Sequence, residues 1–199
     1  MPGLASRLTD AEIWSMIEFL DAQSAARNAS AMTERVKPLL PVPAPDFTYE
    51  LPGSPQQTLL DPRDKRVTLL VFYRLPASLP RLTDIATNLR SYVDAGARVV
   101  AVPLDAATAA EATSGVSGAD AILATTGADV AAAYTLFAQS PPAVEAALPP
   151  VEYLIDRQGD LRVRWIGVPG SERGAESLSQ IRILVREPPR PVQQWGHRH

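Results

Sequence analysis

A chain of 199 residues with 46% apolar side chains is long enough to bury one sizeable core and carry an appendage. Its formal net charge of -3 gives no general pull on nucleic acid, and the complete lack of cysteine excludes disulfides, zinc–thiolate centres and iron–sulfur ligation. No apolar run approaches the roughly 18–20 residues that span a bilayer, and the stretch from Met1 to Arg7 has neither the basic start nor the apolar core of a signal peptide.

The first predicted element is a helix from Asp10 to about Ala26. Thr9 is its N-cap, Glu12 completes a Thr-x-x-Glu capping box, and Leu8 and Ile13 are spaced for a hydrophobic staple. Ile13, Ile17 and Leu20 fall on one face, widened by Trp14, Met16 and Phe19. A second short helix is expected from Ser30 to Val36. Pro38, Pro41, Pro43 and Pro45 then impose an extended linker, because each proline biases its predecessor away from α. The domain boundary is placed there.

Phe47 to Leu51 alternates as an edge strand, and Pro52-Gly53-Ser54-Pro55 is a turn. Val67 to Tyr73 is apolar at nearly every position, as a central strand covered on both faces should be. A helix from about Leu79 to Asp94 turns Leu82, Ile85, Leu89 and Tyr92 inward and stops at Gly96. Arg98 to Leu104 is a second buried strand, so the strand–helix–strand order requires a parallel crossover. A helix from Ala106 to about Thr113, a short strand from Ala121 to Thr125 and a helix from Ala128 to Phe137 follow. A Pro- and Ala-rich connection covers Gln139 to Leu148.

Val151 to Ile155 and Leu161 to Ile166 form a hairpin about a turn at Asp156 to Asp160. In its second strand Arg162 and Arg164 alternate with Leu161, Val163 and Trp165, which predicts one wet face. Ala175 to about Val185 is the closing helix. The organisation is therefore a helical segment (1–37), a Pro-rich linker (38–45), an α/β domain (46–186) and a Pro-rich tail (187–199). Charge is uneven along it: residues 38–156 hold seven basic and thirteen acidic side chains, residues 157–199 eight and four. That end reads either as a solvated arginine-rich face or as a surface for an acidic partner or lipid head groups.

The buried run Val67 to Tyr73, the Pro-punctuated loop Arg74-Leu75-Pro76-Ala77-Ser78-Leu79-Pro80, the helix after it and the downstream Pro149-Pro150-Val151-Glu152-Tyr153-Leu154-Ile155 resemble the thioredoxin-like redoxin family. The resemblance covers about residues 44–186. It implies a central mixed sheet flanked by helices, with a Cys-x-x-Cys loop facing a cis-proline. Here the four loop positions read Ala77, Ser78, Leu79 and Pro80, and Pro150 stands where the cis-proline would be. Thiolate is the nucleophile of thiol–disulfide exchange, so a chain without cysteine runs neither that chemistry nor peroxidatic chemistry. Ser78 is left as a hydrogen-bond donor to a ligand or as packing in an emptied loop. If Pro150 is cis, the backbone beside it forms a slot for an extended peptide; otherwise it opens an ordinary strand.

Met1-Pro2, followed by Leu8-Thr9-Asp10-Ala11-Glu12-Ile13-Trp14, resembles the C-terminal part of a class I c-type cytochrome. In that family a Met-Pro pair supplies the axial haem ligand, so Met1 matches the ligand of a haem-binding half encoded upstream. Alternatively it is an ordinary residue before a capped amphipathic helix. His197 and His199 are the only histidines, and two without a third ligand make a weak metal site; no metal is assigned. Together the resemblances imply a non-catalytic thioredoxin-like domain of a cytochrome-associated periplasmic redox protein. It would act as a docking module for a protein or membrane-bound redox or copper partner and would hold no cofactor itself, with haem c in a longer parent. The alternative is an electron-transfer or copper-homeostasis component. The apolar face of the N-terminal helix predicts packing on the domain, on a second copy or on the haem half.

Overall fold

The computed structural model describes residues 32–37, 42–105, 108, 122–124, 130, 134, 149–167 and 170–188. The predicted helix at 10–26, the connection 139–148, Met1, His197 and His199 lie outside the described residues; of the predicted helix at 106–113 Thr108 is described, and it is helical. Of the predicted helix at 128–137, Val130 and Tyr134 are described, and both are helical.

Two short strands, β1 (Thr48–Tyr49) and β2 (Gln57–Thr58), pair antiparallel across the turn at Gly53. β3 (Val67–Tyr73) is buried at every position. It is followed by α1 (Leu79–Thr87) and α2 (Leu89–Asp94), then β4 (Ala97–Pro103). The predicted single helix over 79–94 is thus two. Asn88 breaks it: its amide side chain donates to the Asp84 carbonyl and carboxylate, and the Ser91 N–H bonds the Asn88 carbonyl. Side-chain competition of this kind ends helices. Gly96, at φ 87°, ends α2 as expected, in a conformation that costs other residues. β5 (Val151–Ile155), β6 (Leu161–Ile166) and α3 (Arg173–Arg186) complete the described elements.

The main sheet has the order β4-β3-β5-β6. β3 and β4 are parallel, with Val67 opposite Ala97; β3 and β5 are antiparallel, with Phe72 opposite Val151; β5 and β6 form the predicted hairpin. α1, α2 and α3 cover one face, where Leu69, Val71, Val99, Leu154 and Val163 meet Leu82, Ile85, Tyr92 and Ile181. Phe72, Val100 and Tyr153 on the other face meet Tyr49, Leu59 and Tyr134.

The outer edge of β6 is not wet. Arg164 N–H bonds the Thr33 carbonyl, Leu161 N–H the Val42 carbonyl, and Ala44 N–H the Gly159 carbonyl. Residues 32–37 are extended or bent where a helix was expected, and Val36 N–H bonds Gln180 Oε1. The register slips by one between Leu154 and Ile155, leaving Arg162 unpaired as a bulge. Its guanidinium is buried and donates to Asp156 and Glu187. This corrects the expectation of a wet face at Arg162, since two carboxylates cover it, whereas Arg182 and Arg186 of the same end are exposed. On the opposite side, Leu123 bridges Ala101, so the predicted strand at 121–125 appears as one bridge along the β4 edge.

Candidate functional site

The C-terminal end of β3 releases the chain into the loop 74–78, and α1 begins at Leu79. Register places Pro150 at the same end of the sheet, one step before the Val151–Phe72 pair. The structure thus places Ala77, Ser78, Leu79, Pro80 and Pro150 at one end of the sheet.

The loop closes on itself. Ser78 N–H donates to the Arg74 carbonyl at 2.9 Å, and Arg74 N–H donates to Ser78 Oγ at 3.1 Å. Ser78 is buried, with its hydroxyl oxygen bonded inside the loop. The loop is tied to the end of β4 by an Arg74–Asp105 ion pair of 3.2 Å. Asp105 also accepts the Thr108 N–H at 2.7 Å, and that bond, with help from Arg74, holds its carboxyl below the usual range. Ala77, Leu79 and Pro80 face solvent, and Leu79 is 39% exposed.

The cis peptide bond among the described residues is Leu75–Pro76, inside the loop. Of the two readings left open for Pro150, the structure has the second: the bond before it is trans, Gly167 N–H donates to the Pro150 carbonyl at 2.8 Å, and the residue opens β5 as an ordinary strand. A peptide-pairing slot at this point has no backbone donor. Pro149 and Pro150 have no N–H to donate, and the Pro150 carbonyl is already bonded.

Beneath the loop lies a buried polar cluster that the sequence reading missed. Arg81, in the first turn of α1, makes a two-pronged bond to Glu152 of β5, at 3.0 and 2.9 Å. Both side chains are 4% exposed. Arg81 Nη1 also donates to Asp84 and to the Tyr92 hydroxyl, and Nη2 to Ser177 Oγ of α3. Tyr92 and Ser177 share a 3.0 Å hydrogen bond. Burial works against the Arg81 cation, but the Glu152 carboxylate overrides it and drives the pKa further up. The signal was present in sequence: one carboxylate inside the apolar run Val151 to Ile155, and an arginine four residues before Ile85 on the inward face of α1. Above this cluster the Tyr73 hydroxyl is buried without a partner, and burial pushes its pKa up to about 12.

At the opposite end of the sheet, an open cleft of about 260 Å³ is lined by Gln57, Asp61, Asp64 and Arg98. Its charges are paired: Asp64 accepts from Arg66 and forms an ion pair with Arg98 at 3.3 Å. The Arg66 bond above all holds the Asp64 pKa at about 2. Among the described residues no group of three His, Asp or Glu could hold a metal ion. Nor is any described helix long and apolar enough to cross a membrane.

No family model and no curated protein matches the sequence. Solved structures do match the fold. A putative thiol:disulfide interchange protein DsbE from Chlorobium tepidum is 20% identical, with a TM-score of 0.55 over 75% of this chain and 99% of that one. Peroxiredoxin Q from Xanthomonas campestris is 17% identical, with a TM-score of 0.52 over 69% and 90%. The mitochondrial 2-cys peroxiredoxin from Plasmodium falciparum is 13% identical, with a TM-score of 0.54 over 77% and 94%. The described chain therefore has a thioredoxin-like fold, as the sequence predicted. Likeness at this identity establishes the fold alone.

Proposed function

We propose that this chain is a non-catalytic thioredoxin-like domain that serves as a docking module for a redox partner protein. The observation that carries the reading is the state of the loop at the end of β3. No sulfur stands at Ala77 or Pro80, the Ser78 hydroxyl oxygen accepts the Arg74 N–H, and the space beneath holds the Arg81–Glu152 pair. What this end offers a partner is contact: exposed Ala77, Leu79 and Pro80, with Ile166 of β6 also exposed at that end of the sheet. The backbone beside Pro150 adds no donor, so recognition there runs through side-chain packing.

The association with a c-type cytochrome, and with it a periplasmic setting, rests on the stretch from Met1 to Leu20. A chain without cysteine does not fit covalent attachment of haem c, so any haem belongs to another polypeptide or a longer parent. The test is direct. Purified protein should show no insulin reduction with dithiothreitol and no peroxide consumption with a thiol reductant. Sustained turnover in either assay, abolished by substitution in the loop 74–80, would overturn the reading.

A further inference from the structure

Four buried side-chain atoms among the described residues have no hydrogen-bond partner: Tyr73 Oη, Arg162 Nε, Trp165 Nε1 and Arg173 Nη1. The three nitrogens can only donate, so what these groups lack is acceptors. Two of them belong to one place. The Arg173 guanidinium lies over the Trp165 ring, 5.0 Å from its centroid. Trp165 is 1% exposed and the Arg173 side chain 11%.

The other buried arginines show what a satisfied cation looks like here. Arg81 has Glu152 at 2.9 Å, and Arg162 has Asp156 at 2.9 Å and Glu187 at 2.7 Å. Arg173 has carboxylates only at 3.8 Å (Glu34, on Nη2) and 3.9 Å (Glu176, on Nε), beyond hydrogen-bond reach. Its Nη1 has none. Arg173 is also the first residue of the 14-residue helix α3, whose N-terminal end adds positive potential. At the start of α3, then, a guanidinium stacked on an indole ring and the N–H of that same indole each hold a buried donor with no acceptor.

We propose that Arg173 and Trp165 form a binding site for a small oxyanion, a carboxylate or a phosphate, that takes hydrogen bonds from Arg173 Nη1 and Trp165 Nε1. An arginine fork suits two oxygens on one centre, and the indole contributes a donor that does not titrate. Glu34, 62% exposed on the strap beside β6, sits at the rim as a weak internal competitor and the part that must swing aside.

The indole N–H is its own reporter. The chain has three tryptophans, and Trp165→Phe assigns the relevant signal in a nitrogen–proton correlation spectrum. The full chain is titrated separately with inorganic phosphate and with acetate, ionic strength being held constant with sodium chloride. The Trp165 N–H signal should move saturably with at least one oxyanion and not with chloride. The two arms tell phosphate from carboxylate. Arg173→Gln should abolish the shift, Arg173→Lys should weaken it, and Glu34→Gln should tighten binding several-fold. No saturable shift would mean that water satisfies the indole, and would overturn the proposal. So would an equal response to chloride, or an unchanged response in folded Arg173→Gln. If that variant does not fold, Glu34→Gln decides: affinity equal to that of the wild-type chain sinks the idea.

Discussion

Arg81 and Glu152 show how a buried pair can hold a fold without adding much net stability. Removing two charges from water costs several kcal/mol per ion, and only near-ideal geometry repays it. The geometry here is two-pronged, with Tyr92, Ser177 and Asp84 taking the remaining donors. Breaking the pair from one side strands the other charge. Arg81→Met should therefore cost about 3–5 kcal/mol in urea unfolding, whereas Arg81→Met with Glu152→Leu should recover most of the loss. Asp64 carries the acid sensitivity that can be assigned to one group. Its folded pKa is lowered to about 2, so its contribution is complete above the ordinary carboxylate value near 4 and disappears as pH falls through 2. The stability difference between wild type and Asp64→Asn should be flat at neutral pH and vanish in that window, read from denaturation midpoints against pH.

At the scale of elements, the edges of the sheet matter most. An exposed strand edge is a template for unwanted pairing, and β6 is shielded by the segments around Thr33 and Val42–Ala44. Hydrogen exchange tests this: the Leu161 and Arg164 amides face outward, bonded to Val42 and Thr33, and should exchange far more slowly than loop amides. Fast exchange at both would show that the strap does not stay seated. The strap also marks where sequence reading ran out. Periodicity located Val67–Tyr73, the hairpin and α3, because a strand buried on both faces and an amphipathic helix leave local patterns. The alternation of Arg162 and Arg164 is equally local and pointed the wrong way for Arg162. The groups that bind the buried Arg162 guanidinium, Lys37, Asp156 and Glu187, come largely from far along the chain. The Asn88 break is a one-residue event with no periodic signature.

For the whole molecule, the thioredoxin-like layout was legible in the order of elements, with Ala77 and Ser78 in the loop after β3 and Pro80 in the first turn of α1. The cis bond was not where the resemblance put it. Nor did the sequence reveal that Glu152 reaches under the loop to Arg81, a contact between residues 71 positions apart. If the scaffold is intact and only the sulfur is missing, Ala77→Cys with Pro80→Cys should restore a dithiol at a helix start, where i and i+3 positions come within bridging reach. Mild oxidation should then close an intrachain disulfide, seen as the loss of two hydrogens by mass spectrometry. A folded double variant that resists closure would show that these two positions are not the counterparts of the redox pair.

The Arg81–Glu152 pair has a thermal consequence as well. The hydration that opposes burying ions weakens on heating, while the gain from apolar burial levels off. The bond joining α1 to β5, with Ser177 bringing in α3, therefore loses less of its worth in the heat than the aliphatic packing around it. Warming should loosen the rest of the molecule before it parts these three elements.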